Sequence, residues 1–172
     1  MPDRITQGLA VPGGASLLKL SHVSLTARDA DELSAFYIAV FGVIERRPSM
    51  RLSGKAVWRG NGLPGVDITS VWLDLPGAQG PFLEILAYDK TSDRPVPAVN
   101  DPGLGHLAFE VRDIHATVDS VLRSGGAMQG EVTNFGTDDA PCLIVYMRDP
   151  EGNILELEQG LPCPAPRQGG PE

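Results

Sequence analysis

Residues 22–42 read HVSLTARDADELSAFYIAVFG and align without gaps on residues 106–126, HLAFEVRDIHATVDSVLRSGG. The His, the Arg-Asp pair and the closing Gly coincide in the two stretches. Each of these stretches is followed by a second repeated segment. GPFLEI at residues 80–85 corresponds to GNILEL at residues 152–157. Chance seldom reproduces two such segments in the same order. The chain is therefore predicted to contain two copies of one structural unit.

Each copy is predicted to begin with a strand and a helix. Polar and apolar residues alternate from position 20 to 26, which is typical of a half-buried strand with His22 on its polar face. Asp29 is expected to cap the helix that follows, and Gly42 to end it. The next predicted strands of this copy are residues 43–46, which Pro48 is expected to end, 68–75 and 81–86.

The second copy repeats this order, with Asp113 as the expected helix cap. Its predicted strands are residues 104–111, 131–133, 143–148 and 154–157. The predicted fold is therefore α+β: two tandem βαβββ modules that form a curved, cup-shaped mixed sheet with helices outside. The predicted organisation is a flexible leader (1–17), the first module (18–88), a linker (89–103), the second module (104–160) and a disordered tail (161–172).

The composition limits the class of partner. The chain has 172 residues and a net charge of −8, which argues against nucleic acid or an anionic membrane as the main partner. We find no apolar run near the ~20 residues of a membrane helix and no signal-peptide core. A cytoplasmic location is expected, with Cys142 and Cys163 as reduced thiols.

The duplicated segments supply a candidate metal site. His22 and His106 occupy equivalent positions, as do Glu84 and Glu156. Taken alone, a strand histidine is more often structural than a ligand, but its repetition together with a glutamate favours metal binding. Two imidazoles and two carboxylates suit one divalent ion, with Ni, Co, Zn, Mn and Fe all open.

Such a site predicts a reaction type. An ion with open positions can bind the oxygen of a small oxygenated substrate as a Lewis acid. Glu84 or Glu156 can then act as the general base on the carbon next to a carbonyl, and the sequence does not choose between them. A metal-dependent lyase, isomerase or epimerase is therefore expected.

Four segments resemble the vicinal oxygen chelate superfamily, which includes glyoxalase I, bleomycin resistance proteins and extradiol dioxygenases. They are LSHVSLTARDADELSAFY, GPFLEIL, GLGHLAFEVRDI and VYMRDPEGNILELEQ. The resemblance implies that His22, Glu84, His106 and Glu156 hold the metal, and the glutamate at position 84 is closest to the pattern of glyoxalase I. Many members pair into dimers, so a homodimer is expected.

The resemblance also leaves alternatives. Bacterial glyoxalase I has an arginine and an asparagine for glutathione where this sequence has Thr26 and Tyr88, so the use of glutathione is not implied. An extradiol dioxygenase would need only His22, His106 and Glu156, with Fe(II). A drug-binding or other ligand-binding member without catalysis is a third possibility, against which the full set of four ligands counts.

Overall fold

The computed structural model describes residues 19–77, 80–160 and 162–163. The expected leader, and the expected tail apart from residues 162 and 163, lie outside them. The first module contains β1 (His22–Ala27), α1 (Ala30–Phe41), β2 (Ile44–Leu52), α2 (Lys55–Asn61), β3 (Ile68–Asp74) and β4 (Phe82–Tyr88). The second contains β5 (Leu107–Glu110), α3 (Ile114–Arg123), β6 (Ala127–Met128), β7 (Thr133–Asn134), β8 (Leu143–Arg148) and β9 (Ile154–Gln159).

The helix ends form where the sequence predicts them. The Asp29 carboxylate accepts hydrogen bonds from the backbone N–H groups of Asp31 and Glu32, which have no partner inside the helix. Gly42 ends α1 in the left-handed region with φ 64°, which a glycine adopts without strain. Asp113 caps α3 in the same way through the N–H of Ala116.

The described strands form one sheet in each module. The first has the order β1-β4-β3-β2, and the second has the order β5-β9-β8-β6 with β7 also paired to β8. The outer strand β1 runs parallel to β4, and β5 runs parallel to β9. This mixed topology confirms the predicted α+β fold of two βαβββ modules.

Two details of the first module differ from the prediction. Strand β2 does not stop at Pro48 but continues to Leu52. A proline is tolerated there because β2 is the edge strand of its sheet and its pairing with β3 is interrupted on both sides of Arg47. Helix α2 was not predicted, and none of its residues is buried, so it lacks the apolar face on which a sequence pattern depends.

The two modules share one hydrophobic core. Helices α1 and α3 each pack on one face of their own sheet and contact each other. Phe41 at the end of α1 stacks on Phe109 of β5 with the ring centroids 4.0 Å apart. In β5, Phe109 faces the core, whereas the neighbouring Ala108 points to the opposite face of the sheet and is exposed. The modules are therefore joined through their helix-bearing sides, and the opposite face of β1 and β5 stays open.

The cysteines correct a prediction. Cys142 and Cys163 form a disulfide, with their Cα atoms 5.4 Å apart, so the expectation of reduced thiols is wrong for this structure. Gly160 follows β9 with φ at 84°, and a Cβ atom there would lie 2.3 Å from the carbonyl oxygen of Pro141. Cys163 thus lies beside the start of β8, a proximity that the spacing of the cysteines does not reveal.

Among the described residues, no helix has the length and apolar character needed to cross a membrane.

Candidate metal centre

The first pair of expected ligands, His22 and Glu84, lies on the open face of the first sheet. His22 is the first residue of β1, and its neighbour across the ladder is Phe82. The imidazole Nε2 of His22 faces Oε2 of Glu84 at 3.5 Å. The His22 side chain is 40% exposed and that of Glu84 13%, so the pair is accessible while its carboxylate is largely shielded from water.

The second pair, His106 and Glu156, occupies the equivalent place in the second sheet. His106 immediately precedes β5, and Glu156 lies in the adjacent strand β9. Nε2 of His106 lies 2.7 Å from Oε2 of Glu156. The exposure of the two side chains, 36% and 12%, matches that of the first pair. The duplication seen in the sequence is therefore also a duplication of local geometry.

An aromatic donor holds the first glutamate. Trp72 lies opposite Glu84 in the β3–β4 ladder, and its indole Nε1–H donates to Oε1 of Glu84 at 2.8 Å. The hydroxyl of the fully buried Ser70 donates to the same oxygen at 3.3 Å. Both donors act on Oε1, so Oε2 is the oxygen turned towards His22. Hydrogen bonds of this kind orient carboxylate ligands in metal sites.

A second aromatic residue flanks the other glutamate. Tyr146 lies opposite Glu156 in the β8–β9 ladder, and its ring meets the His106 imidazole edge-on with centroids 5.3 Å apart. Burial first, and then the nearby carboxylates of Glu156 and Glu158, raise the pKa of Tyr146. Trp72 and Tyr146 thus stand at equivalent places beside the two pairs.

Sequence reasoning missed these neighbours of the glutamates. No role was assigned to Ser70, Trp72 or Tyr146 from the sequence. A signal was present, because each aromatic residue lies in the strand that immediately precedes the strand of its glutamate. By contrast, His115 has no histidine counterpart in the first copy, which predicts a surface residue rather than a ligand, and its side chain is exposed.

The two pairs do not merge within one chain. Among the described residues, no group of three or more His, Cys, Asp or Glu side chains is close enough to hold a metal ion. The four expected ligands therefore do not form one cluster. They form two half-sites, one of His22 and Glu84 and the other of His106 and Glu156. Each half-site offers one imidazole nitrogen and one carboxylate oxygen, a donor set that fits a divalent ion once further ligands join it.

A groove of about 890 Å³ reaches His106 of the second pair. It is lined by His106, by residues of the linker such as Pro95 and Leu104, and by Thr26 and Tyr88 at one end of the first sheet. A groove of this size admits a small organic molecule. Thr26 and Tyr88, the two positions at which this sequence departs from the glutathione-binding pattern, therefore line the groove that reaches His106.

The sequence model of the Glyoxalase/Bleomycin resistance protein/Dioxygenase superfamily matches residues 19–157. The chain belongs to this superfamily. The matched segment includes both half-sites and both modules, so the family assignment covers the whole of the candidate metal centre.

Relatives within the superfamily include two epimerases. The chain is 24% identical to the mitochondrial methylmalonyl-CoA epimerase of Homo sapiens over 146 residues, which cover 84% of this chain and 75% of that protein. It is 23% identical to the ethylmalonyl-CoA/methylmalonyl-CoA epimerase of Cereibacter sphaeroides, over 82% of this chain and 97% of that one.

Solved structures of the superfamily share the fold. A glyoxalase family protein from Bacillus cereus superposes with a TM-score of 0.74 at 21% sequence identity. The match covers 86% of this chain and 97% of the Bacillus protein. The Bacillus protein therefore has the same overall fold as this chain.

Proposed function

We propose that this protein is a metal-dependent enzyme of the glyoxalase type that moves a proton next to the carbonyl of a small oxygenated substrate. The observation that carries the proposal is the repeated geometry of the two half-sites. In each, the Nε2 of a histidine at or just before the start of one strand faces the Oε2 of a glutamate in the adjacent strand. We assign His22, Glu84, His106 and Glu156 as the ligands of one divalent ion.

The two glutamates are the protein groups that would move the proton. A divalent ion, when bound, would polarise a substrate carbonyl and so acidify the adjacent C–H group. Glu84 is held through Oε1 by Trp72 and Ser70, which keeps its other oxygen directed at the site. Either Glu84 or Glu156 can take the proton from carbon, since each is a poorly hydrated carboxylate.

An isomerase or epimerase reaction agrees best with two carboxylates placed in this way. One glutamate can remove a proton and the other can return one to the opposite side of the same carbon. Two relatives named as epimerases of malonyl-CoA derivatives support this class over a lyase. We therefore expect a substrate whose acidic carbon lies between, or next to, carbonyl groups.

We further propose that two copies of the chain complete each site. The modules contact each other through their helix-bearing sides, and the half-sites lie on the open faces. A homodimer can place the His22–Glu84 half-site of one copy against the His106–Glu156 half-site of the other. Two-fold symmetry then generates two identical four-ligand sites.

Complementation between inactive variants tests this arrangement. We would combine H22A/E84A with H106A/E156A after mixing under mild denaturation and refolding. If sites form between copies, half of the random dimers are mixed and each restores one of two sites, so about one quarter of wild-type metal binding should return. Sites formed within one chain would give no recovery. If neither double variant loses metal binding by itself, the assignment of the four ligands is wrong.

The metal requirement separates the remaining alternatives. Isotope exchange from solvent into a 2-substituted malonyl thioester should depend on Ni²⁺, Co²⁺, Zn²⁺ or Mn²⁺ and not on O₂. Activity that needs both Fe(II) and O₂ would instead indicate a dioxygenase. Stoichiometric binding of a drug by metal-free protein, without turnover, would favour a ligand-binding protein of the same superfamily.

A further inference from the structure

An irregularity in strand β2 turns two adjacent arginines towards the candidate site. In the β2–β3 ladder Glu45 pairs with Leu73 and Arg47 with Trp72, which leaves Arg46 as an extra residue. Neighbouring side chains of a regular strand point to opposite faces, whereas a bulge can bring both to one face. The guanidinium of Arg46 lies 4.3 Å from the ring centroid of Phe82, and that of Arg47 lies 4.0 Å from the ring centroid of Trp72.

The two rings under these arginines belong to the first half-site. Phe82 and Trp72 contact each other with centroids 4.5 Å apart, and the imidazole of His22 lies 5.0 Å from Phe82. Trp72 is also the donor to Glu84. Each guanidinium is therefore separated from a candidate ligand by a single aromatic ring.

The two arginines differ in their partners. Arg46 forms an ion pair with Asp74 at 2.6 Å. Arg47 has no carboxylate within 4.0 Å among the residues that the structure describes. Asp74 thus neutralises one arginine of the bulge and leaves the charge of the other available.

Neutral groups hold Arg47 in place. Its Nη2 donates to the hydroxyl of Ser70 at 3.1 Å, and its Nη1 donates to the carbonyl of Pro48 at 3.1 Å. Ser70 in turn donates to Glu84. A planar guanidinium that is stacked and hydrogen-bonded in this way is preorganised, and its remaining N–H groups suit the two oxygens of a carboxylate.

The geometry points to Arg47 as the residue that binds a carboxylate of the substrate. The ligand class is an acyl compound that carries a carboxylate close to the carbonyl at which the proton moves. This inference rests on the proposed function, because the metal site supplies the other anchor for the same molecule. The half-buried guanidinium, already fixed by the stack on Trp72, would orient the substrate so that its acidic carbon faces the glutamates.

A comparison of charged and neutral probes tests the assignment. The probes are the N-acetylcysteamine thioester of methylmalonate and the methyl ester of the same compound. Their affinities for Co²⁺-loaded protein would be measured by calorimetry. We expect the wild type to bind the free acid about 10- to 100-fold more tightly than the ester, the usual range for a charge-assisted hydrogen bond. In R47Q that ratio should fall to near one, and R47K should recover part of it.

The control variant is R51Q, also in β2. Arg51 is 69% exposed and paired with Asp67, so its loss should leave the ratio unchanged. Co²⁺ affinity is measured separately for every variant. If R47Q weakens Co²⁺ binding but keeps the preference for the acid, Arg47 only balances the charge of Glu84 and the inference is wrong.

The test also separates this inference from the proposed function. If the wild type binds no Co²⁺, the proposed metal site is wrong. The same comparison of acid and ester on metal-free protein still tests the role of Arg47. Equal binding of acid and ester by the wild type, with or without metal, overturns the role of Arg47 alone.

Discussion

The phenol of Tyr37 in α1 donates a hydrogen bond of 3.0 Å to Asp149 at the turn between β8 and β9. Both residues are buried. The Asp149 carboxylate also accepts from the backbone N–H groups of Glu151 and Asn153 and from the Asn153 side chain. This bond ties the helix of the first module to the turn that precedes the second glutamate strand. It is a polar link inside the shared core.

Removing this bond should lower stability. In Y37F the buried carboxylate loses one donor, so the free energy of unfolding at pH 7 should fall by about 1–3 kcal/mol. Chemical denaturation followed by circular dichroism measures the change. Y88F is the matched control, because Tyr88 is only partly buried at the end of β4. An equal loss in the two variants would show that the link contributes nothing.

The same bond predicts a pH effect. Burial first, and then the charge and hydrogen bond of Asp149, raise the pKa of Tyr37 well above its usual value. A raised pKa gives stability that is complete below the unfolded value of about 10 and is lost as the pH rises above it. The stability difference between wild type and Y37F should therefore shrink above pH ~10, and a constant difference from pH 7 to 11 would contradict this.

Trp72 should matter through its indole N–H. In W72F most of the ring packing is retained, but Glu84 loses a donor at 2.8 Å. Loss of such an orienting partner usually costs metal affinity about 10- to 100-fold, and Co²⁺ titration would measure it. W58F is the control, since Trp58 lies on helix α2 and its indole donates to the carbonyl of Val66, not to a candidate ligand. Unchanged Co²⁺ affinity in W72F would remove Trp72 from the site.

The two histidines of the second module should behave differently. H106A should lose both metal content and activity, because His106 supplies the imidazole opposite Glu156. H115A should lose neither, because His115 is exposed on α3. Elemental analysis of the two purified variants measures the metal. Equal metal content would argue that His106 is structural.

The disulfide should add stability when oxidised. It closes a segment with a sequence separation of 21 residues, for which the chain-entropy estimate is about 3 kcal/mol. C163S, or the wild type in reductant, should unfold at correspondingly lower denaturant concentration. Adding reductant to C163S supplies the control, since it should change nothing further. Two titratable thiols in the native wild-type protein would contradict the assignment.

Local residue choices accounted for much of the fold. Asp29 and Gly42 bound α1 because capping and left-handed glycine act within a few residues. The alternation along β1 placed His22 on the polar face for the same local reason. The prediction failed where the cause lay in a neighbouring strand: β2 passes through Pro48 only because it is an edge strand with an irregular ladder.

The sequence by itself determined two copies of a βαβββ unit, each with a strand histidine and a strand glutamate, because periodicity, caps and repeats are properties of short segments. The tertiary structure alone decided which groups surround those residues. Trp72 and Ser70 reach Glu84, Arg47 stacks above Trp72, and the modules join by their helix-bearing sides. Each of these contacts depends on ladder register or on packing between distant segments, and neither is encoded in the spacing of residues along the chain.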